Sequence, residues 1–429
     1  MHVRAAIAVL FAVLLGAARL SAQNDGSQGK KKFPFRIHGF VLANYSARLT
    51  DAQPPGEEGG RFLWADERLR LEVYGEAPKK HLSLLFKGDV FHDAAANKLG
   101  GVVREAYVDY ARGPLDLRVG RQIVTWGVGD LVFINDVFPK DWNAFFSGRP
   151  IEYLKLGADA AKIQLSTPEL NAELVVIPFF QPDNLPNPQR FLFFDPFPAV
   201  SNRTLRQPAS TTGNTEFALR LYGRLLNSDV SVYAYRGFWR QPAFRPDQFP
   251  MATQLRGFYP QLSVYGASVQ HNVGNSLISG EAGYYDSRDD HGGRDPAIPN
   301  SQVRLLAGYQ RQLASEFTLG AQYYAEIMTE YSAYQANLPP TFPVQDRVRH
   351  LVTLRLTKFL KYQTWRLSWF SLYSPSDQDA LLIPEVWHAI NDRLSVAVGA
   401  NIFAGTRPST FLGQFDRNDN AYGSIRFDF

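Results

Sequence analysis

The sequence predicts an all-β protein, a transmembrane antiparallel β-barrel of about 18 strands (range 16–18) with short periplasmic turns and long extracellular loops. Three observations predict it. Segments of strand length alternate oily and polar side chains along nearly the whole chain. Tight and long connections take turns between those segments. Outside the first 22 residues there is no run of 18 apolar residues, so a helical span is unsupported, and a closed barrel is the other structure that satisfies backbone polar groups in lipid.

Residues 1–22 read as a signal peptide, with His2 and Arg4 as a basic start, AAIAVLFAVLLGAA as apolar core, and a cleavage site ending at Ala22. Residues 23–33 are expected to be a short periplasmic segment, and 34–429 the barrel. Without Arg4 and Arg19 the formal net charge falls from +4 to +2, which argues against a nucleic-acid partner. Aromatics make up 14% of the chain and charged residues 20%, a balance that suits interfacial belts on a lipid-facing wall. The absence of cysteine excludes disulfides and thiolate chemistry.

Strands are predicted near 34–49, 61–77, 80–93, 101–112, 114–126, 151–166, 171–180, 214–226 and 228–240, and then near 257–272, 275–288, 300–313, 316–331, 345–359, 361–374, 379–391, 393–405 and 418–429. Leu394, Val396, Val398, Ala400 and Ile402 share one parity against Ser395, Ala397, Gly399 and Asn401. Val352, Leu354 and Leu356 likewise oppose Thr353, Arg355 and Thr357. The oily parity is assigned to lipid and the other to a wet lumen, because arginine, glutamine and serine recur on it. Connections after even-numbered strands are tight, as at Asn227–Ser228 and Val273–Gly274, whereas most after odd-numbered ones are long. The last segment, AYGSIRFDF, must close on the first strand, since an open edge is prohibitive in lipid. Its terminal Phe429 resembles the signal read by the barrel-assembly machinery.

The loop Gly127–Pro150 holds Asp130, Asp136 and Asp141 among Phe133, Phe138 and Trp142. It is too apolar to hang in water, and is expected to fold into the mouth and set a constriction where its carboxylates face lumen arginines. Parity sends Arg68, Arg70, Arg220, Arg224, Arg304, Arg355 and Arg366 inward, either as wall residues paired with carboxylates or as a basic ladder for anions. Arg121 shares the outward parity of Leu117 and Val119, where an arginine at mid-bilayer costs about 2–4 kcal/mol. A bulge at Gly120 is expected to turn Arg121 inward. In the loop Gln181–Gly213, proline density is expected to prevent a regular ladder.

The stretch GRQIVTWGVGD, Gly120 to Asp130, resembles the G-R-Q…W-G…D stretch of an outer-membrane porin-like family grouped under a domain of unknown function. Alginate-export-like barrels are a more distant likeness. Gly120, Arg121, Gln122, Trp126, Gly127 and Asp130 carry the match. The resemblance implies a porin-like channel or an exporter component and supplies no substrate.

The expected function is diffusion of small hydrophilic solutes, anions among them, across the outer membrane. The alternatives are a specific channel for bulky or apolar organic substrates, and an outer-membrane hydrolase or structural barrel. The histidines are scattered, with no nucleophile motif, metal cluster or phosphate-cradling loop, so neither catalysis nor a cofactor is expected. Outer-membrane lipid, lipopolysaccharide and the assembly machinery are the expected partners, with homo-oligomerisation left open.

Overall fold

The alternating segments form one closed sheet in a computed structural model, which describes residues 35–54, 59–340 and 342–429. The expected signal peptide and the segment 23–33 lie outside the described residues. In chain order the strands are β1 (Phe35–Arg48), β2 (Phe62–Ala77), β3 (Leu82–Asp93), β4 (Lys98–Arg112), β5 (Leu115–Gln122), β6 (Ala158–Ser166) and β7 (Asn171–Ile177). Next come β8 (Arg203–Leu205), β9 (Glu216–Leu225), β10 (Ser228–Phe238), β11 (Ala243–Pro246), β12 (Leu255–Phe258), β13 (Gln261–Val273) and β14 (Ser276–Ser287). The last seven are β15 (Gln302–Ala314), β16 (Phe317–Met328), β17 (Val348–Leu360), β18 (Trp365–Ser374), β19 (Asp379–Ala389), β20 (Leu394–Gly405) and β21 (Asn420–Asp428).

Eighteen of these make the antiparallel barrel, while β8, β11 and β12 form a separate three-stranded sheet within the loops. Closure is made by β1 and β21, paired from Phe40↔Asp428 to Arg48↔Asn420. Gly39 and Phe429 exchange backbone hydrogen bonds of 3.0 and 2.9 Å, so the terminal residue itself seals the seam. Val119, Leu219, Val232, Leu305, Val352, Val398 and Ile425 are exposed on the outward parity, a continuous oily wall that would be a liability in water and is a match for hydrocarbon.

The two rims differ. One carries the tight turns at 113–114, 226–227, 274–275 and 315–316; the other carries 49–61, 123–157, 178–215, 239–260 and 406–419, with 94–97 and 375–378 as its short exceptions.

Three expectations are corrected. β5 stops at Gln122 rather than 126 and β6 starts at Ala158 rather than 151, so the inner connection runs 123–157. The oily residues Val124, Trp126 and Leu154 at its ends are buried in one cluster with Phe138, Phe145 and Phe146. No bulge occurs at Gly120: the register is unbroken from Leu115 to Arg121 against β4 and to Gln122 against β6. Arg121 stays on the parity of Val119, where Asp159 pairs with it at 3.2 Å and Gln181 accepts from it at 3.3 Å. A cross-strand carboxylate thus does what the bulge was invoked for, offsetting the charge. The bulge lies one strand earlier: Lys87 faces Glu105 while Gly88 faces Val103, leaving Arg104 as the extra residue of β4. Finally, the proline-rich loop does contribute a ladder, since β8 pairs in parallel with β12.

Candidate functional site: the loop across the lumen

The loop 123–157 leaves β5, crosses the lumen and returns to β6, tied to the wall at each stage. On one side the Trp126 indole donates to Glu173 at 3.0 Å, and its ring meets Phe138 edge-on at 5.0 Å. The carboxylate of Glu281, on β14, then gathers four donors. These are the backbone N–H groups of Val128 (2.8 Å), Gly129 (3.1 Å) and Asn135 (2.8 Å), and the Asn135 side-chain amide (2.9 Å). Tyr285 donates to the Ile134 carbonyl. Further across, Asp141 caps the short helix Trp142–Phe146 through the Ala144 N–H. The Phe146 carbonyl accepts from Asn401 and Asn420, both at 3.1 Å, and the Gly148 carbonyl from Asn44. Glu152 reaches Arg70 at 2.6 Å and Arg426 at 3.1 Å.

Because β14 holds one end of this path and β1, β2, β20 and β21 the other, the loop forms a septum. Its middle is apolar: Phe146 lies 4.4 Å from Phe415 and 5.8 Å from Phe403, and Trp142 lies 5.8 Å from Phe411. On the tight-turn side is a chamber of about 720 Å³ whose lining includes Asp130, Glu152, Arg355, Arg366, Glu385 and Arg426. A smaller one of about 290 Å³ shares Asp130 and Arg355 with it. On the long-loop side lies a vestibule of about 640 Å³, floored by Glu326, Arg349 and Asp377 and walled by Pro242, Pro296 and Pro299.

The residues singled out in the sequence divide into three groups. Asp130 reaches a lumen arginine, Arg355, through two hydrogen bonds, one of 2.8 Å. Asp136 instead binds Lys140 and Lys155, both at 2.9 Å, and Asp141 faces Arg149 at 3.3 Å, so these two carboxylates hold the loop's own fold. Phe138 is buried, while Phe133 and Trp142 pack partly buried against the same core. Among the arginines, Arg68 and Arg70 are almost fully buried, sharing Asp66, Asp89 and Glu152. Arg304 pairs with Glu326 and stacks on Tyr285, and Arg366 pairs with Glu385 at 2.8 Å. Arg220 bonds Ser231 and stacks on Tyr222, and exposed Arg224 lies across from Asp229. Most of the candidate ladder is therefore matched charge for charge.

Burial tunes two groups in the loops. It pushes the Lys140 ammonium below the ordinary lysine range against the opposing pull of Asp136, and its Nζ also donates to the Phe138 carbonyl at 2.6 Å. It pushes the Asp183 carboxyl above the ordinary carboxylate range, opposed by hydrogen bonds from Trp142 and the Lys140 N–H, both at 2.8 Å.

Sequence reasoning missed Glu281, Glu152 and Tyr422. Glu281 had a signal: a lone carboxylate on the inward parity of a strand whose neighbours are Ser279, Gly280 and Gly283. Tyr422 had none, since its ring matters only because Gly399 and Gly148 come against it from two directions.

Known proteins give this frame. The family described as "Protein of unknown function (DUF1302)" matches residues 88–338. No curated protein matches the chain. Among solved structures the barrel is similar to Pseudomonas aeruginosa OccK2 (OpdF), determined in complex with glucuronate, with a TM-score of 0.55 and 9% identity over 92% of this chain and 97% of that one. OccK5 (OpdH) of the same organism gives 0.55 and 9% over 92% and 97%, and OccK11 (OpdR) gives 0.53 and 10% over 92% and 96%. At such identity the likeness is one of fold, an 18-stranded barrel of the outer-membrane porin type.

Proposed function

The chain belongs to the DUF1302 family, and from that premise and the geometry of its lumen we propose that it is a porin-like channel of the bacterial outer membrane, through which small hydrophilic solutes diffuse. The observation that carries this reading is the loop 123–157, laid across an otherwise open barrel so that chambers of about 720 and 640 Å³ lie on its two sides. Chambers of that size suit small molecules. The paired charges that line them offer hydrogen bonds without a strong field of one sign, so selectivity between anions and cations is weak. A sugar acid such as the glucuronate bound by OccK2 is the kind of anion such a lining would admit alongside neutral solutes.

Selection of apolar substrates by the aromatic loop is the weaker reading, because Phe146, Phe403 and Phe415 are buried against one another rather than turned to a chamber. A hydrolase is weaker still. Ser228 meets His271 at 2.9 Å, yet among the described residues no carboxylate orients that histidine.

The test is conductance in planar bilayers, with reversal potentials in a salt gradient, for the intact protein and for a variant lacking residues 131–146. Small unitary steps with weak ion preference, rising in the deletion, are expected. Absence of conductance in both proteins would overturn the proposal.

A further inference from the structure

The inner face of β17, β18 and β19 carries one compact patch. In its lowest row Phe359 faces Arg366, which faces Trp387. One row nearer the septum Ser368 faces Glu385, and in the next row Arg355 faces Phe370. All of these line the chamber of about 720 Å³. Rows on one face of a sheet repeat about every 7 Å and strands about every 5 Å, so the patch spans roughly 13 by 10 Å. Its charges are open to the chamber, unlike those elsewhere in the wall. Arg68 and Asp66 are each 2% exposed and Arg240 and Glu216 8% and 0%, whereas Arg366 and Glu385 keep 39% and 24%.

Arg366 donates to Glu385 at 2.8 Å, and its Nε has no partner among the described residues. The other Glu385 oxygen accepts from a neutral donor, the Tyr422 hydroxyl, at 3.1 Å. A guanidinium with spare donors and a carboxylate with one charged partner thus stand side by side. A monoanion reaches Arg366 only beside Glu385, and a monocation reaches Glu385 only beside Arg366, so each meets a like charge. A molecule with an ammonium and a carboxylate on one carbon meets both opposites at once. The surroundings are oily. The Trp387 ring lies 5.5 Å from the Arg366 guanidinium carbon and Phe370 4.4 Å from that of Arg355, while Leu131, Phe145 and Ile151 line the septum side.

We propose that this patch is a binding station for α-amino acid zwitterions with an apolar side chain. Glu385 takes the ammonium, Arg366 the carboxylate, and Phe359, Phe370 and Trp387 the side chain. On docking, the Arg366–Glu385 contact is traded for two contacts of the same kind, so no charge is left unpaired. The inference rests on the channel reading and names the solute class that this chamber favours.

The test is block of the ion current in planar bilayers at pH 7 by four probes: phenylalanine, 3-phenylpropionate (no ammonium), 2-phenylethylamine (no carboxylate) and glycine (no side chain). Phenylalanine should stay several-fold longer than each of the others. Glu385→Gln should shorten the phenylalanine block and lengthen that of phenylpropionate, because the ammonium loses its partner and the carboxylate loses a repulsion. A merely structural role would move both the same way. Folding is checked by heat-modifiable migration. If Glu385→Gln does not fold, Arg366→Gln decides, with phenylalanine shortened and phenylethylamine lengthened. Absence of current in the wild type would count against the diffusion reading by itself, and saturation-transfer NMR of the same probes on the detergent-solubilised protein then tests the station. Any of the other three probes held as long as phenylalanine, or phenylalanine and phenylpropionate responding alike to Glu385→Gln, would overturn the proposal.

Discussion

Replacing Glu281 by glutamine should loosen the septum without touching the barrel ladder. The carboxylate is buried and accepts four hydrogen bonds from residues 128–135, three of them from backbone N–H groups. Charge-assisted hydrogen bonds contribute about 1.5–3 kcal/mol each, and an unmet buried donor costs about 1–3 kcal/mol. Glutamine keeps one acceptor oxygen and turns a second donor toward donors, so at least two bonds are lost, on the order of 3–6 kcal/mol. At tenfold per 1.4 kcal/mol, the segment 127–135 should detach about two to four orders of magnitude more often. The far end stays held by Asn401 and Asn420 on the Phe146 carbonyl. Single-channel recording should show flickering steps of higher conductance, while heat-modifiable migration shows an intact barrel. Unchanged conductance and noise in both Glu281→Gln and Glu281→Ala would refute the claim that this carboxylate holds the septum in the path.

Three further outcomes follow from the same geometry. Arg355→Ala should leave Asp130 unpaired in the chamber and move the reversal potential toward cations, whereas Asp130→Asn should move it toward anions; shifts of the same sign would contradict the pairing. Gly148 sits at φ +70 with Tyr422 where a Cβ would go, so Gly148→Ala should cost more than about 1 kcal/mol and lower the temperature at which the folded band converts on a gel. Asp183 titrates higher in the folded protein than in the unfolded chain. Its favourable contribution is therefore complete below the unfolded value and is lost as pH rises through the folded one. The thermal midpoint of the wild type relative to Asp183→Asn should fall with rising pH across that interval, and a pH-independent difference would count against it.

The wall was legible because its cause is local. A strand in a barrel shows alternate side chains to lipid and lumen, so the run from Leu394 to Ile402 reveals its outward face without knowledge of any neighbour. Two boundaries escaped for a related reason. Val124 and Trp126 add oily residues past the end of β5, yet they are oily to pack against Phe138 and Tyr233 inside the lumen. Hydrocarbon and a protein interior ask for the same side chains. Parity also set Arg121 correctly on the outer face, and the error came from expecting the backbone to move when Asp159, on the next strand, offsets the charge instead.

By itself, then, the sequence determined that the chain is a barrel of about 18 strands, which parity is oily where the alternation is clear, and that one loop was too apolar to stay outside. Only the tertiary structure decided what the charges do. Asp130 and Arg355 are 225 positions apart and Glu152 and Arg426 are 274 apart, so closure of the sheet brings them together and no spacing announces it. Alternation is a property of one strand and its solvent, whereas an ion pair across a lumen is a property of the closed ring.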